Sequence, residues 1–280
     1  MSPRYEHPPI VALSGEPDDQ LAPATRQRRR FEALLGDLSE EQWKTASRCD
    51  GWTVHDVAAH LVGVNAFWSA SLAAGLAGRP TRVLGAFDPV TTPELMVAQM
   101  RGLTRSEVLD QLAQTNDAFL SAIAELDDGD WSTLAEAPPG HLPIRLMVQH
   151  ALWDCWIHER DIAVPVGVAT PVEPDEVWSC LGYAAALNAA LAVGAGHRVT
   201  GQFALKSTNP AYRCWLEVAE TVTVHGEVSP PTTPCLEGDC VALIEALSLR
   251  APFPDRVPVE WQQILDGFSD LFSSAPGNSR

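Results

Sequence analysis

The sequence predicts an α+β protein, an antiparallel four-helix bundle followed by a small C-terminal α+β domain with an antiparallel sheet. Three observations lead there. The 280 residues suggest about two domains at ~100–200 residues each, and a hydrophobic fraction of 46% supplies ample core. Four segments within roughly the first 165 residues repeat apolar side chains every three or four positions, the period of a helix with one buried face. After Pro174 the pattern changes to one helix, then short alternating runs bounded by turn residues, then two closing helical stretches.

Residues 1–23 are punctuated by Pro3, Pro8, Pro9, Pro17 and Pro23, and are expected to form a disordered extension. The first helix is expected over 24–38, through Phe31, Leu34, Leu35 and Leu38, with "LSEEQW" as a short turn after it. Thr53 is placed to cap the second, with Asp56 three residues on as a variant capping box. Its stripe is Val54, Val57, Ala58, Leu61, Val64 and Trp68. A loop containing Pro89 and Pro93 leads to a helix over 104–126, and "DDGDWSTLAEAPPGHLP" is expected to be a loop. Pro143 then opens a fourth helix that runs to about Ala163. These helices set a first domain at 24–168, and a second domain is expected over 174–280. It has a helix at 175–194, strands around 199–205, 214–218 and 222–224, and helices at 239–249 and 258–272.

Charge narrows the partners. The formal net charge is −17, which argues against nucleic acid and anionic membrane surfaces, both of which need clustered positive charge. The one basic run, "RQRRR" (Arg26 to Arg30), is expected to be a solvated helix start. No signal-peptide pattern opens the chain, and the longest apolar stretch, Tyr183 to Gly196, is too short to span a bilayer, so a soluble cytoplasmic protein is expected. Six scattered cysteines without a C-x-x-C pair fit free thiols in a reducing compartment.

The chemistry concentrates in "HALWDCWIHERDI", residues 150–162. His150, Asp154 and His158 recur every four residues on a helix side otherwise made of Met147, Ala151 and Ile162. Ionisable groups on an apolar side need a partner, and a metal ion would serve. Successive members lie about 6 Å apart along the axis and the outer two about 12 Å, so one ion takes His150 with Asp154 or Asp154 with His158, not both histidines. His60, beside Val57, Leu61 and Val64 on the second helix, is the natural third ligand.

"SRCDGWTVHDVAAHLV" (47–62) and "WIHERDIAVPVG" (156–167) resemble the two signatures of the mycothiol-dependent maleylpyruvate isomerase family, a branch of the DinB-like four-helix metalloproteins. "YRCWLEV" and "LIEALSLR" more loosely resemble its sterol-carrier-like second domain. The resemblance implies that His60, Asp154 and His158 bind a divalent metal, usually Zn2+, with Asp154 standing where the family has glutamate. It also implies mycothiol as cosubstrate, an electrophilic small molecule as substrate, and isomerisation or S-transfer as the reaction. His150 becomes a candidate acid/base or a group orienting Asp154. Asp161 is placed either to hold the ring of His158 or to end the helix in solvent, Arg250 resembles a family arginine reaching in from the second domain, and Trp52, Trp153 and Arg213 are candidate substrate contacts. A thiol-independent metal hydrolase and a non-catalytic small-molecule binder with a structural metal are the alternatives.

Overall fold

The computed structural model describes residues 3–14, 19–226 and 230–273. The chain runs through β1 (Val11–Ser14), α1 (Leu21–Asp37), α2 (Glu40–Trp43), α3 (Val54–Leu76), α4 (Thr91–Met100) and α5 (Arg105–Ala124). It continues through β2 (Leu134–Ala137), β3 (Gly140–Pro143), α6 (Ile144–Ala163) and α7 (Pro174–Gly194). β4 (Gly201–Thr208), β5 (Ala211–Val218), β6 (Val222–His225), β7 (Cys235–Gly238), α8 (Cys240–Leu247) and α9 (Val259–Ser273) complete it.

Capping chemistry sets the starts of three bundle elements. Ser39 with Gln42, Thr53 with Asp56 and Thr104 with Glu107 each form a reciprocal capping box, which satisfies backbone N–H groups that a helix start leaves without partners. α1 and α3 both pack on α5 and α6, closing a ring of four helices. At one end of that ring Phe31, Leu35, Val57, Leu61, Leu112 and Ile162 make a core of their own. At the other end Trp68, Leu72, Phe119, Met147 and Leu152 belong to a core that continues without a break into α7, α8, α9 and the sheet. The two parts therefore share interior, and α7 against α6 is the seam.

The sheet has the order β1-β6-β5-β4-β7. Its centre, β4-β5-β6, is the expected antiparallel meander, and β1 and β7 add to its two edges in parallel. Residues 1–23 are thus not a disordered extension, as far as they are described; residues 1, 2 and 15–18 lie outside the described set. Val11 pairs with Val222, Ile10 and Val11 are buried, and Tyr5 donates to Glu136 Oε1 at 2.7 Å. A four-residue apolar strand needs only a free sheet edge 200 positions away to become ordered, and the prolines that precede it do not prevent that. α1 also starts earlier than expected, at Leu21, where Asp19 accepts from the N–H groups of Leu21 and Ala22 and Pro23 falls within the first turn.

Other expectations are corrected in the same way. The loop with Pro93 contains α4, whose first turn tolerates that proline. The loop over 127–143 contains the β2–β3 hairpin. Its turn needs Gly140, at φ 131°, because the backbone of Arg4 crosses so closely that a Cβ would lie 1.9 Å from the Arg4 carbonyl oxygen. "RQRRR" is not a solvated start: Arg28 is fully buried, and Arg30 ties Glu159 of α6 to Glu176 of α7 at 2.7 and 2.8 Å. Stretch length does not exclude a membrane span either, since α3 and α7 are both long and apolar enough by composition. α7 is apolar on all sides because it is packed inside the protein, 78% of its apolar window being buried.

Candidate metal centre

α3 and α6 face each other across the bundle, and α3 brings one polar side chain to the contact and α6 a turn of them. His60 lies on α3 between the core residues Val57 and Leu61; Asp154 and His158 lie one turn apart on α6. One donor atom from each of His60, Asp154 and His158 falls within 4.8 Å of the others. His158 Nε2 is 3.6 Å from Asp154 Oδ1, and the rings of His60 and His158 meet edge to face with centroids 5.1 Å apart. His60 and Asp154 retain partial solvent access, so the cluster opens outward.

Behind it stands a carboxylate. Asp161, one further turn along α6 and fully buried, accepts from His158 Nδ1 at 3.0 Å. The same carboxylate receives Arg250 Nε and Nη2, both at 2.9 Å, and Arg48 Nε at 3.1 Å. Arg250 arrives from the second domain by a specific device. α8 ends in a Schellman motif: Arg250 N–H bonds the Glu245 carbonyl, Leu249 N–H that of Ala246, and Leu249 takes the left-handed position at φ 58°. Glycine is usual there; leucine holds the strained conformation and turns Arg250 onto Asp161. Burial disfavours ionisation of Asp161, but His158 and Arg250 hold it well below the usual carboxylate range. Burial likewise opposes the charge on His158, yet the bonds to Asp161 and Cys49 and the nearby Asp154 push it up to about 10. His60 moves the other way, down to about 3, through burial and the charge of His158. Burial raises Asp154.

The donor set fits a divalent cation. Two imidazoles and one carboxylate are the ligand types of three-ligand catalytic zinc sites. Asp161 holds the Nδ1 proton of His158, so a cation that displaced the second proton would find Nε2 beside Asp154, the outer-sphere arrangement that metal-bound histidines use. His60 Nδ1 is buried without a hydrogen-bond partner. A second group, Cys49 with His158 Nδ1 and Asp161, is also compact, with Cys49 Sγ 3.2 Å from Asp161 Oδ2 and 3.6 Å from Nδ1. It suits a metal poorly, because two guanidiniums already supply the positive charge that Asp161 needs.

The remaining expected site residues separate into two sets. Trp52 is at the site, its ring 5.2 Å from that of His60. His150 is not among the converging donors: it is buried one turn away, bonded through Nδ1 to the Tyr183 hydroxyl at 2.6 Å and enclosed by Trp68 and Trp153. Trp153 is a bolt between the two parts, donating to Ser248 Oγ at 2.9 Å and packing on Phe268. Arg213 lies on the solvent side of β5, in register with Lys206 and opposite the face that packs on the helices, and is not brought to the site. Arg48 and Cys49 had no place in the expected site although both lie within the first signature. A cation and a thiol just ahead of the capped helix that carries His60 were the available signal.

A family model described as the mycothiol maleylpyruvate isomerase N-terminal domain matches residues 24–163. An uncharacterized protein of Mycobacterium tuberculosis, present in strains CDC 1551 / Oshkosh and ATCC 25618 / H37Rv, is 24% identical over 172 residues, covering 60% of this chain and 79% of its own length. Crystal structures of the mycothiol-dependent maleylpyruvate isomerase and of a histidine-to-alanine mutant of it superpose with a TM-score of 0.59 at 15% identity, over 83% of this chain and 88% of theirs. At that identity the superposition establishes a shared fold of helical domain plus sheet domain.

Proposed function

Because this chain belongs to the mycothiol maleylpyruvate isomerase N-terminal domain family, we propose that it is a zinc-dependent enzyme that adds a low-molecular-weight thiol, mycothiol in the first place, to an electrophilic small molecule. Where the adduct expels the thiol after bond rotation the outcome is isomerisation, and where it persists the outcome is S-transfer. The observation that carries this reading is the meeting of His60, Asp154 and His158, nearly a hundred positions apart in sequence, at one partly open point between α3 and α6. Three donors converge there among the described residues, which suits a catalytic site better than a closed four-ligand structural one.

His60, Asp154 and His158 would hold the ion. When bound, it supplies a Lewis acid with an open position at which a thiol is kept as thiolate at neutral pH. The chain's own groups arrange the rest. Asp161 sets the tautomer and ring plane of His158. His158 and Arg250 keep Asp161 ionised, and Arg250 and Arg48 couple the second domain to the site, with Arg48 also bonded to Glu245 at 3.1 Å. Trp52 covers one side of His60. His150 and Trp153 pack the turn of α6 that carries Asp154 against α7 and α8; Arg213 takes no part.

The test combines metal content with a thiol-dependence assay. The purified protein is expected to carry about one divalent ion per chain, lost in His60→Ala, and to consume unsaturated keto acids or alkylating electrophiles only when mycothiol is added. Stoichiometric metal with equal turnover in the absence of thiol would move the assignment to a metal hydrolase, and a wild-type protein that takes up no divalent ion would remove the mechanism altogether.

A further inference from the structure

His158 and His60 are oriented by different means. The ring of His158 is pinned by a hydrogen bond from Nδ1 to Asp161, whereas Nδ1 of His60 is buried and unpartnered. The terminal torsion of histidine has a broad energy profile, so a ligand ring without an outer hydrogen bond must be held by packing. Two rings pack on His60: His158, edge to face with centroids 5.1 Å apart, and Trp52, tilted at 51° with centroids 5.2 Å apart.

Trp52 precedes the capping residue of α3, on a stretch that has no helix to fix it. Its indole Nε1 donates to Glu94 Oε2 at 2.9 Å. Glu94 in turn pairs through Oε1 with Arg101 Nη1 at 2.8 Å, and Arg101 Nε donates to Asp56 Oδ1 at 3.0 Å. Asp56 belongs to the capping box of the helix that carries His60. The chain of bonds leaves α3 at its first turn, passes through both ends of α4 and returns to the ring that packs, tilted, on His60. α4 is seated on α3 a turn beyond His60, where a Cβ on Gly63 would come within 2.5 Å of Met96 Cε.

We propose that Glu94 is a positioning residue of the candidate metal centre, holding Trp52 so that its ring fixes the orientation of His60. This rests on the reading of His60 as a metal ligand. The side chains of Arg101 and Glu94 are 44% and 46% exposed, and ion pairs of that kind contribute little to stability. A purely structural role would therefore leave almost no trace when Glu94 is changed; a positioning role leaves its trace in metal affinity.

The experiment uses the full chain freed of metal with a chelator and titrated with Zn2+ against a competing indicator. Glu94→Ala is expected to bind Zn2+ about 10-fold more weakly than wild type, in the range typical of outer-sphere partners, with a melting temperature nearly unchanged. Glu94→Gln keeps an oxygen acceptor for the indole and is expected to stay within about 3-fold of wild type, and Trp52→Phe, which has no N–H to give, to match Glu94→Ala. Wild-type affinity in Glu94→Ala, or a loss that Glu94→Gln fails to restore, overturns the proposal. Should wild type bind no Zn2+, the metal reading falls while Glu94 stays testable through the imidazole 1H–15N correlations of His60. Those signals are expected to shift in Glu94→Ala and hold in Glu94→Gln, and identical spectra in all three proteins refute the positioning role.

Discussion

Replacing Asp161 with asparagine should loosen the site and the protein together. The side chain is fully buried, and it accepts from His158, Arg250 and Arg48. Asparagine preserves the shape but removes the charge and turns an NH2 group toward one of three donors. Breaking a buried ion pair by removing one partner costs about 3–5 kcal/mol. Arg48 and Arg250 keep 20% and 25% of their side-chain surface in solvent, which places the expected loss near the lower bound, about 3 kcal/mol. At roughly 2–4 °C per kcal/mol for a chain of this class, the melting temperature falls by about 6–12 °C. His158 then faces a neutral amide where it had a carboxylate to orient it, so metal affinity drops by about 10- to 100-fold. Urea denaturation of the metal-free protein and competitive Zn2+ titration measure the two effects separately. A double-mutant cycle with Arg250→Met should show strong coupling in stability, because both changes break the same pair. Stability within about 1 kcal/mol of wild type together with unchanged metal affinity would refute the assignment of Asp161 as the hub between the two parts.

Two further outcomes follow from the same kind of bookkeeping. Glu136 is fully buried and takes four donors: Tyr5 hydroxyl, Thr81 hydroxyl, and the backbone N–H groups of Val83 and Leu84. Glu136→Gln turns one donor against another and is expected to cost about 2–3 kcal/mol in urea denaturation, with faster proteolysis of the segment that Tyr5 anchors; cleavage at the wild-type rate would contradict that anchor. His150 is pushed down to about 3 by burial, below the ~6.5 of an unfolded chain. A depressed histidine adds no pH dependence above ~6.5, and below it the unfolded state binds the extra proton, so stability falls by ~1.4 kcal/mol per pH unit as pH drops toward the folded value. Wild type should thus lose stability more steeply than His150→Gln between pH 6 and 4.5, and parallel curves would show that the imidazole is not held neutral.

Legibility varied along the chain for physical reasons. α3 and α6 were readable because each carries a long 3.6-residue apolar period, and α3 also carries its capping box. Asp154 and His158 were readable as a pair because a helix puts positions four apart on one side, while the choice between His150 and His158 needed the resemblance to the family. β1, β7 and the β2–β3 hairpin were not readable. Each has only four residues, too few to show a period, and each is ordered by a partner found far away: β6, β4, and the backbone of Arg4 against Gly140.

By itself the sequence determined what local physics controls: where α3, α5 and α6 start, which faces they bury, and which polar side chains lie on those faces. Only the tertiary structure decided that Arg250 is turned by a left-handed Leu249 onto Asp161, that Arg213 of the same domain points to water, and that His150 is walled in by Trp68, Trp153 and Tyr183. These outcomes depend on how α8 and the sheet dock on the bundle. Docking is set by the sum of many small contacts over one shared core, and no short window of sequence contains that sum.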